Sequence, residues 1–142
     1  MEKINLDIHS KKYKIVYDRK KHKKKATNYL KIPYKDHIII EMWGVRPQFI
    51  RNKEQVKNRI NTIIRRLRLH AISKYSHQFV PHGVTGFVIL EESHLSIHTW
   101  PELKYAHLEL LTCSKNKDYT KIADTVDQEF KPEYFELAEL VY

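Results

Sequence analysis

Between residues 77 and 113 the chain sets out a dense series of side chains able to move protons or attack carbon: His77, His82, Ser93, His94, Ser96, His98, Glu102, His107 and Cys113. The pair Glu92-Ser93 stands at the centre, inside Glu-Glu-Ser-His-Leu-Ser-Ile-His-Thr-Trp-Pro-Glu (91–102) and directly after the apolar run Phe87-Val-Ile-Leu90. A serine held between two strands could attack the peptide bond that precedes it. A chain that did so would make its own cofactor.

Other chemistries stay open at this level. A histidine-rich cluster can bind metal, although neither His-Glu-x-x-His nor Cys-x-x-Cys spacing occurs, which argues against zinc. A thiol hydrolase needs an imidazole near its sulfur, and Cys113 and His98 could meet across neighbouring strands. Cys113 could equally be a buried apolar residue.

The elements that must carry these residues follow from periodicity. His37-Ile-Ile-Ile-Glu-Met-Trp43 reads as a strand, punctuated by Gly44 and Pro47. Asn52 with Gln55 forms a capping-box signal, and behind it Val56, Ile60, Ile63, Ile64 and Leu67 recur at helical spacing. Strands are expected over Ala71–Phe79, Gly86–Glu91, Leu95–Trp100 and Tyr105–Thr112, with Pro81-His-Gly-Val84 and Pro101-Glu-Leu-Lys104 as connections. Alternation places His94, Ser96, His98 and Trp100 on one face of their strand and Leu95, Ile97 and Thr99 on the other. A second helix is expected from about Lys117 to Phe130, with Tyr119, Ile122, Ala123, Val126 and Phe130 inward, and Phe135–Tyr142 closes the chain as a strand. The order β-α-β-β-β-β-α-β, with tight turns in its middle, predicts an α+β two-layer sandwich: a mainly antiparallel sheet with both helices on one face.

The chain has 142 residues, 42% of them apolar, with only three Gly and five Pro, which fits one globular domain and excludes a disordered or fibrous chain. One cysteine rules out an internal disulfide and suits a reducing cytoplasm. No apolar run approaches membrane-spanning length, and no signal-peptide core is visible, so a cytoplasmic location is expected. The net charge of +9 is not spread evenly. Residues 1–35 carry 12 Lys and Arg against three acids, whereas residues 36–142 carry 14 of each. The run Arg19-Lys-Lys-His-Lys-Lys-Lys25 repels itself, so 1–35 reads as a flexible basic extension and 36–142 as the domain. Contact with nucleic acid or an acidic partner through this arm is the alternative reading.

Three segments, His77-Gln-Phe-Val-Pro-His-Gly-Val-Thr-Gly86, Glu91 to Glu102 and Leu111-Thr-Cys113, closely resemble the prokaryotic S-adenosylmethionine decarboxylases, pyruvoyl enzymes made as proenzymes. The resemblance runs from about His37 to the C-terminus. It implies self-cleavage between Glu92 and Ser93. Ser93 Oγ would attack the Glu92 carbonyl to give an ester, a base would remove the Ser93 α-proton, and elimination followed by hydrolysis would leave a pyruvoyl group with loss of ammonia.

The same resemblance assigns His98 as the processing base, Thr85 as the processing hydroxyl where serine is usual, and Cys113 as the proton donor of the mature reaction. Phe79 is the expected purine platform and Glu102 the ribose ligand, with Trp100 as a further lining residue. The substrate, S-adenosylmethionine, would bind as a Schiff base to the pyruvoyl group made from Ser93, and its product would supply aminopropyl groups for spermidine biosynthesis. A homodimer of cleaved αβ protomers is implied, with the active site at its interface. Two alternatives are a pyruvoyl arginine or ornithine decarboxylase of the same fold, and a catalytically silent regulatory or nucleic-acid-binding homologue.

Overall fold

A computed structural model describes residues 33–114 and 118–140, together with the backbone of 7–8 and 11–12. The strands β1 (Asp7–Ile8) and β2 (Lys11–Lys12) pair antiparallel with each other. Most of residues 1–35, and with them the expected flexible extension, lie outside the described residues.

From Asp36 onward the elements are β3 (Asp36–Trp43), α1 (Pro47–Ile50), α2 (Lys53–Arg66), β4 (Ala71–Gln78), β5 (Val84–Leu90), β6 (Ser93–Trp100), β7 (Tyr105–Thr112), α3 (Tyr119–Phe130) and β8 (Tyr134–Leu140). Strands β3 to β8 form one six-stranded sheet in the order β4-β5-β6-β7-β3-β8, every neighbouring pair antiparallel. The expected α+β sandwich is borne out.

Its two layers follow from the alternation. Ile38, Ile40 and Met42 of β3, Leu95 and Ile97 of β6, Ala106, Leu108 and Leu110 of β7, and Phe135 and Leu137 of β8 are all buried on one face. Against them pack Val56, Ile60, Ile63 and Ile64 of α2 and Ile122, Ala123, Val126 and Phe130 of α3. Each fully buried Ile or Leu contributes about 1.5–3 kcal/mol relative to exposure. The two helices also meet through Arg59, whose Nε–H donates to the Glu129 carbonyl at 3.0 Å and whose guanidinium lies 4.1 Å from the centre of the Phe49 ring. That contact satisfies a carbonyl in the last turn of α3 and places a cation at the negative end of its dipole.

Local details depart from expectation in three places. Helix α1 was not expected, since Pro47 reads as a breaker; Pro is tolerated in the first turn, where its missing N–H has no helical partner anyway. Asn52 caps α2 by accepting the Gln55 N–H at 3.0 Å, but the Gln55 side chain faces Arg59 instead, Nη1 to Oε1 at 3.0 Å, so only half of the capping box forms. Strands β5 and β6 begin two residues earlier than expected, because Val84 pairs with Gln78, and Ser93 with Leu90 and Thr112.

Helices cover one face of the sheet. Across the other run His77, Thr85, His98, His107, Glu41 and Glu136, one from each strand in register order β4 to β8. This open face is less uniformly polar than alternation suggests, since Trp43, Phe87, Ile89, Trp100 and Tyr134 are exposed on it.

Candidate active site

Glu91 and Glu92 form the turn between β5 and β6, and the chain re-enters the sheet at Ser93. Ser93 has φ = +149°, a region that residues with a Cβ rarely adopt. Surrounding bonds hold it there. The Cys113 N–H donates to the Glu92 carbonyl oxygen at 2.9 Å, and the Glu91 N–H donates to the His70 carbonyl at 2.9 Å. The Glu92 carboxylate accepts from the His70 backbone N–H at 3.1 Å and lies 2.6 Å from His70 Nδ1. Burial pushes the Glu92 carboxyl up, but these His70 bonds outweigh it and hold the group below the usual carboxylate range. Cys113 is exposed and follows Thr112, the cross-strand partner of Ser93.

The carbonyl next to Ser93 therefore already carries a hydrogen-bond donor on its oxygen. Attack on its carbon would place negative charge on that oxygen, where the Cys113 N–H waits. The turn thus combines a positive φ at Ser93 with a donor on the preceding carbonyl.

Farther along β6, His98 Nδ1 lies 2.9 Å from Thr85 Oγ1 on the neighbouring strand. Its ring sits 6.2 Å from that of His107, which in turn pairs with Glu41 through Nδ1 at 2.5 Å. Burial, then the charge of His107, lower the His98 pKa below its ordinary value, with Glu109 opposing weakly. His98 is thus held neutral near pH 7, and the tautomer donating Nδ1–H to Thr85 leaves Nε2 with a free lone pair. In that tautomer the contact with Thr85 orients the ring.

At the end of β6, Phe79 is half exposed and meets the His77 ring edge-on at 4.7 Å. Glu102 receives His82 Nε2 at 3.0 Å, and both line a cleft of about 370 Å³ together with Pro47, Arg51, Pro81 and Pro101. Gln78 organises this corner: its side-chain nitrogen lies 3.0 Å from the carbonyls of Arg51, Phe79 and Gly83, and its oxygen accepts the Lys53 N–H at 2.8 Å. Gly83 has φ = +101°, and a Cβ there would approach the Thr99 carbonyl at 3.2 Å, so the loop needs glycine. Trp100 packs beside the rings of Tyr105 and His98, at 5.4 and 6.3 Å.

These groups form three clusters strung along β6. Ser93 and Cys113 stand at one end, Thr85 and His98 in the middle, and Phe79, His82 and Glu102 at the other end. Ser93 and His98 are five residues apart on one extended strand, roughly 17 Å at about 3.3 Å per residue. At that separation along one strand the His98 ring lies far from Ser93 within one protomer.

The family model for S-adenosylmethionine decarboxylase matches residues 36–141. The chain belongs to the S-adenosylmethionine decarboxylase family. It is 37% identical over 99 residues to the S-adenosylmethionine decarboxylase proenzyme of Archaeoglobus fulgidus, covering 70% of this chain and 88% of that one. To the proenzyme of Pyrococcus horikoshii it is 36% identical over 104 residues, covering 73% and 75%. The crystal structure of the adenosylmethionine decarboxylase from Aquifex aeolicus superposes with a TM-score of 0.70 at 29% identity, covering 77% of this chain and 90% of that one.

Membership of the S-adenosylmethionine decarboxylase family makes the chain an enzyme, and the relatives' description as proenzymes fits one that matures by its own cleavage. Among the described residues no helix is long and apolar enough to cross a membrane. Sequence reading missed the supports of the site: His70 on Glu92, Gln78 on the loop that presents Phe79, and the pairing of Glu41 with His107 beside His98. Their contacts span 22, 5 and 66 residues. Gln78 alone had a local signal, since it directly precedes Phe79.

Proposed function

We propose that the chain is a self-processing decarboxylase of S-adenosylmethionine, whose pyruvoyl group derives from Ser93 and whose product is the aminopropyl donor for spermidine biosynthesis. The observation that carries this reading is the Glu92–Ser93 peptide, with Ser93 at φ = +149° and the Cys113 N–H on the carbonyl to be attacked.

Maturation begins when Ser93 Oγ bonds to the Glu92 carbonyl carbon. The C–N bond breaks and the hydroxyl proton passes to the Ser93 nitrogen, turning amide into ester. Release of the strained φ favours the step, and the Cys113 N–H stabilises the transient oxyanion. A base then removes the Ser93 α-proton, the Cβ–Oγ bond breaks and the main-chain carboxylate of Glu92 leaves as the new C-terminus, which cuts the chain between 92 and 93. Water converts the remaining dehydroalanine end into a ketone, with release of ammonia.

The base is His98 of a second copy, oriented by Thr85. This follows from the separation along β6 and from the open sheet face, whose exposed Trp43, Phe87, Ile89, Trp100 and Tyr134 form an apolar surface suited to burial in an assembly. The reading is therefore a homodimer of cleaved αβ protomers, with each site built from both copies.

The ketone supplies the electron sink for loss of carbon dioxide from an amine-bearing substrate, so no pyridoxal-binding lysine is required. Cys113, which follows the cross-strand partner of residue 93, protonates the carbon that carbon dioxide leaves. Phe79 offers its exposed face to the purine, Glu102 accepts the ribose hydroxyls, and Trp100 lines the approach. The domain that does this is 36–142, and its lone thiol suits the cytoplasm.

Carbon dioxide release from labelled S-adenosylmethionine, arginine and ornithine tests the substrate. Release from S-adenosylmethionine alone is expected. Release from arginine or ornithine alone, or from none after cleavage is complete, overturns the assignment.

A further inference from the structure

We infer that His70 is a positioning residue for self-cleavage, holding the Glu92 side chain so that the Glu92–Ser93 carbonyl stays aligned for attack by Ser93 Oγ. The inference rests on the reading of Ser93 as the pyruvoyl precursor and adds a residue outside the family motif.

Three bonds join His70 to the two residues before the scissile bond. Its carbonyl receives the Glu91 N–H at 2.9 Å, its own N–H donates to Glu92 Oε2 at 3.1 Å, and its Nδ1 meets Glu92 Oε1 at 2.6 Å. The backbone that presents them is fixed from behind. Leu67 and Leu69 are buried on either side of Arg68, and the Leu69 N–H donates to the Ile64 carbonyl at 2.9 Å.

The arrangement makes little sense as a stability device. The His70 ring is 66% exposed, and a pair with so exposed an imidazole adds little to folding free energy. The Glu92 side chain, by contrast, is only 11% exposed, although it carries a charge. What the contact sets is orientation. With Glu91 and the Glu92 carboxylate both held by His70, and the Glu92 carbonyl held by Cys113, the scissile peptide plane has few ways to turn.

Electrostatics point the same way. Attack on the Glu92 carbonyl creates an oxyanion on the residue that already bears a carboxylate, and two like charges on one residue oppose each other. His70 partners that side-chain carboxylate through two nitrogens, at 3.1 and 2.6 Å, and so offsets part of its charge during the attack. In the step itself the Oγ–C bond forms, the C–N bond breaks, and the proton moves from Oγ to the Ser93 nitrogen. His70 exchanges no atom.

The test follows cleavage of the full chain over time, with and without hydroxylamine, which cuts an ester but leaves an amide. Wild type, His70→Ala, His70→Asn and His98→Ala are compared. His70→Ala is expected to cleave about ten- to a hundredfold more slowly, the scale set by small misplacements of reacting groups. Hydroxylamine should not rescue it, because the block precedes the ester, whereas His98→Ala should accumulate a hydroxylamine-sensitive form. His70→Asn, which keeps a side-chain N–H near Glu92, should recover most of the rate, and all variants should melt as wild type does. Wild-type cleavage rates in His70→Ala, a hydroxylamine-sensitive block in that variant, or no recovery in a folded His70→Asn would each overturn the proposal. Failure of wild type itself to cleave would remove the reading of Ser93, and this proposal with it.

Discussion

The backbone N–H of Cys113 donates to the carbonyl oxygen of Glu92 at 2.9 Å. In the proposed mechanism this one residue has two roles, its N–H in maturation and its thiol in the reaction that follows. The two roles separate by substitution. Cys113→Ala keeps the N–H and should cleave normally but decarboxylate poorly. Cys113→Pro removes the N–H and should slow cleavage about 10²–10³-fold, the usual loss for one oxyanion donor. Gel time courses beside carbon dioxide release distinguish them, and full decarboxylation by Cys113→Ala would refute its role as proton donor.

His98 titrates below 6.5 because burial and the neighbouring His107 both disfavour its charged form, against the weaker pull of Glu109. As the proposed processing base it acts as the neutral ring, so cleavage should lose rate only at a pH below that of an ordinary histidine. His107→Gln removes the neighbour whose charge disfavours the His98 imidazolium. The acid limb should therefore move to higher pH. An unmoved limb would show that His107 does not tune the base. The unfolded chain takes up this proton at higher pH than the folded one, so stability should also decline as pH falls below 6.5.

Sharing of the site between copies is open to a mixing experiment. Ser93→Ala and His98→Ala chains should each remain whole alone. Unfolded together and refolded as a mixture, they form assemblies in which an intact Ser93 faces an intact His98, so part of the His98→Ala chain should cleave. Absence of cleavage in verified mixed dimers would place serine and base in the same protomer.

Thr99 is a buried hydroxyl that donates to the Ile50 carbonyl at 2.8 Å and accepts the Val84 N–H at 2.9 Å, tying α1 to the start of β5. Thr99→Val keeps the shape and strands both groups. A loss of about 1–3 kcal/mol is expected in urea unfolding. A change within error would mean that these groups find other partners.

The fold was legible because its signals are local. Alternation over Leu95–Thr99 and Ala106–Leu110, helical spacing from Val56 to Leu67, and Pro132 after Phe130 each report on their own segment. The candidate residues of the site came from the resemblance around Ser93. The distribution of the site was not legible. Strand pairing sets Thr85 against His98 and Ser93 against Thr112, but pairing distances are invisible in a motif that writes Ser93 and His98 five residues apart. Compactness in sequence became extension in space, because a strand travels about 3.3 Å per residue. Supports such as His70 on Glu92 arise only once β4 and the β5–β6 turn lie side by side.

Conversion of Ser93 into the pyruvoyl group is read from the intact mass of the incubated protein. Two fragments are expected, one ending at Glu92 and the other beginning with a blocked residue 93 whose mass is that of a pyruvoyl group, both absent from Ser93→Ala. A single uncleaved chain after prolonged incubation, or a fragment beginning with a free serine, would contradict it.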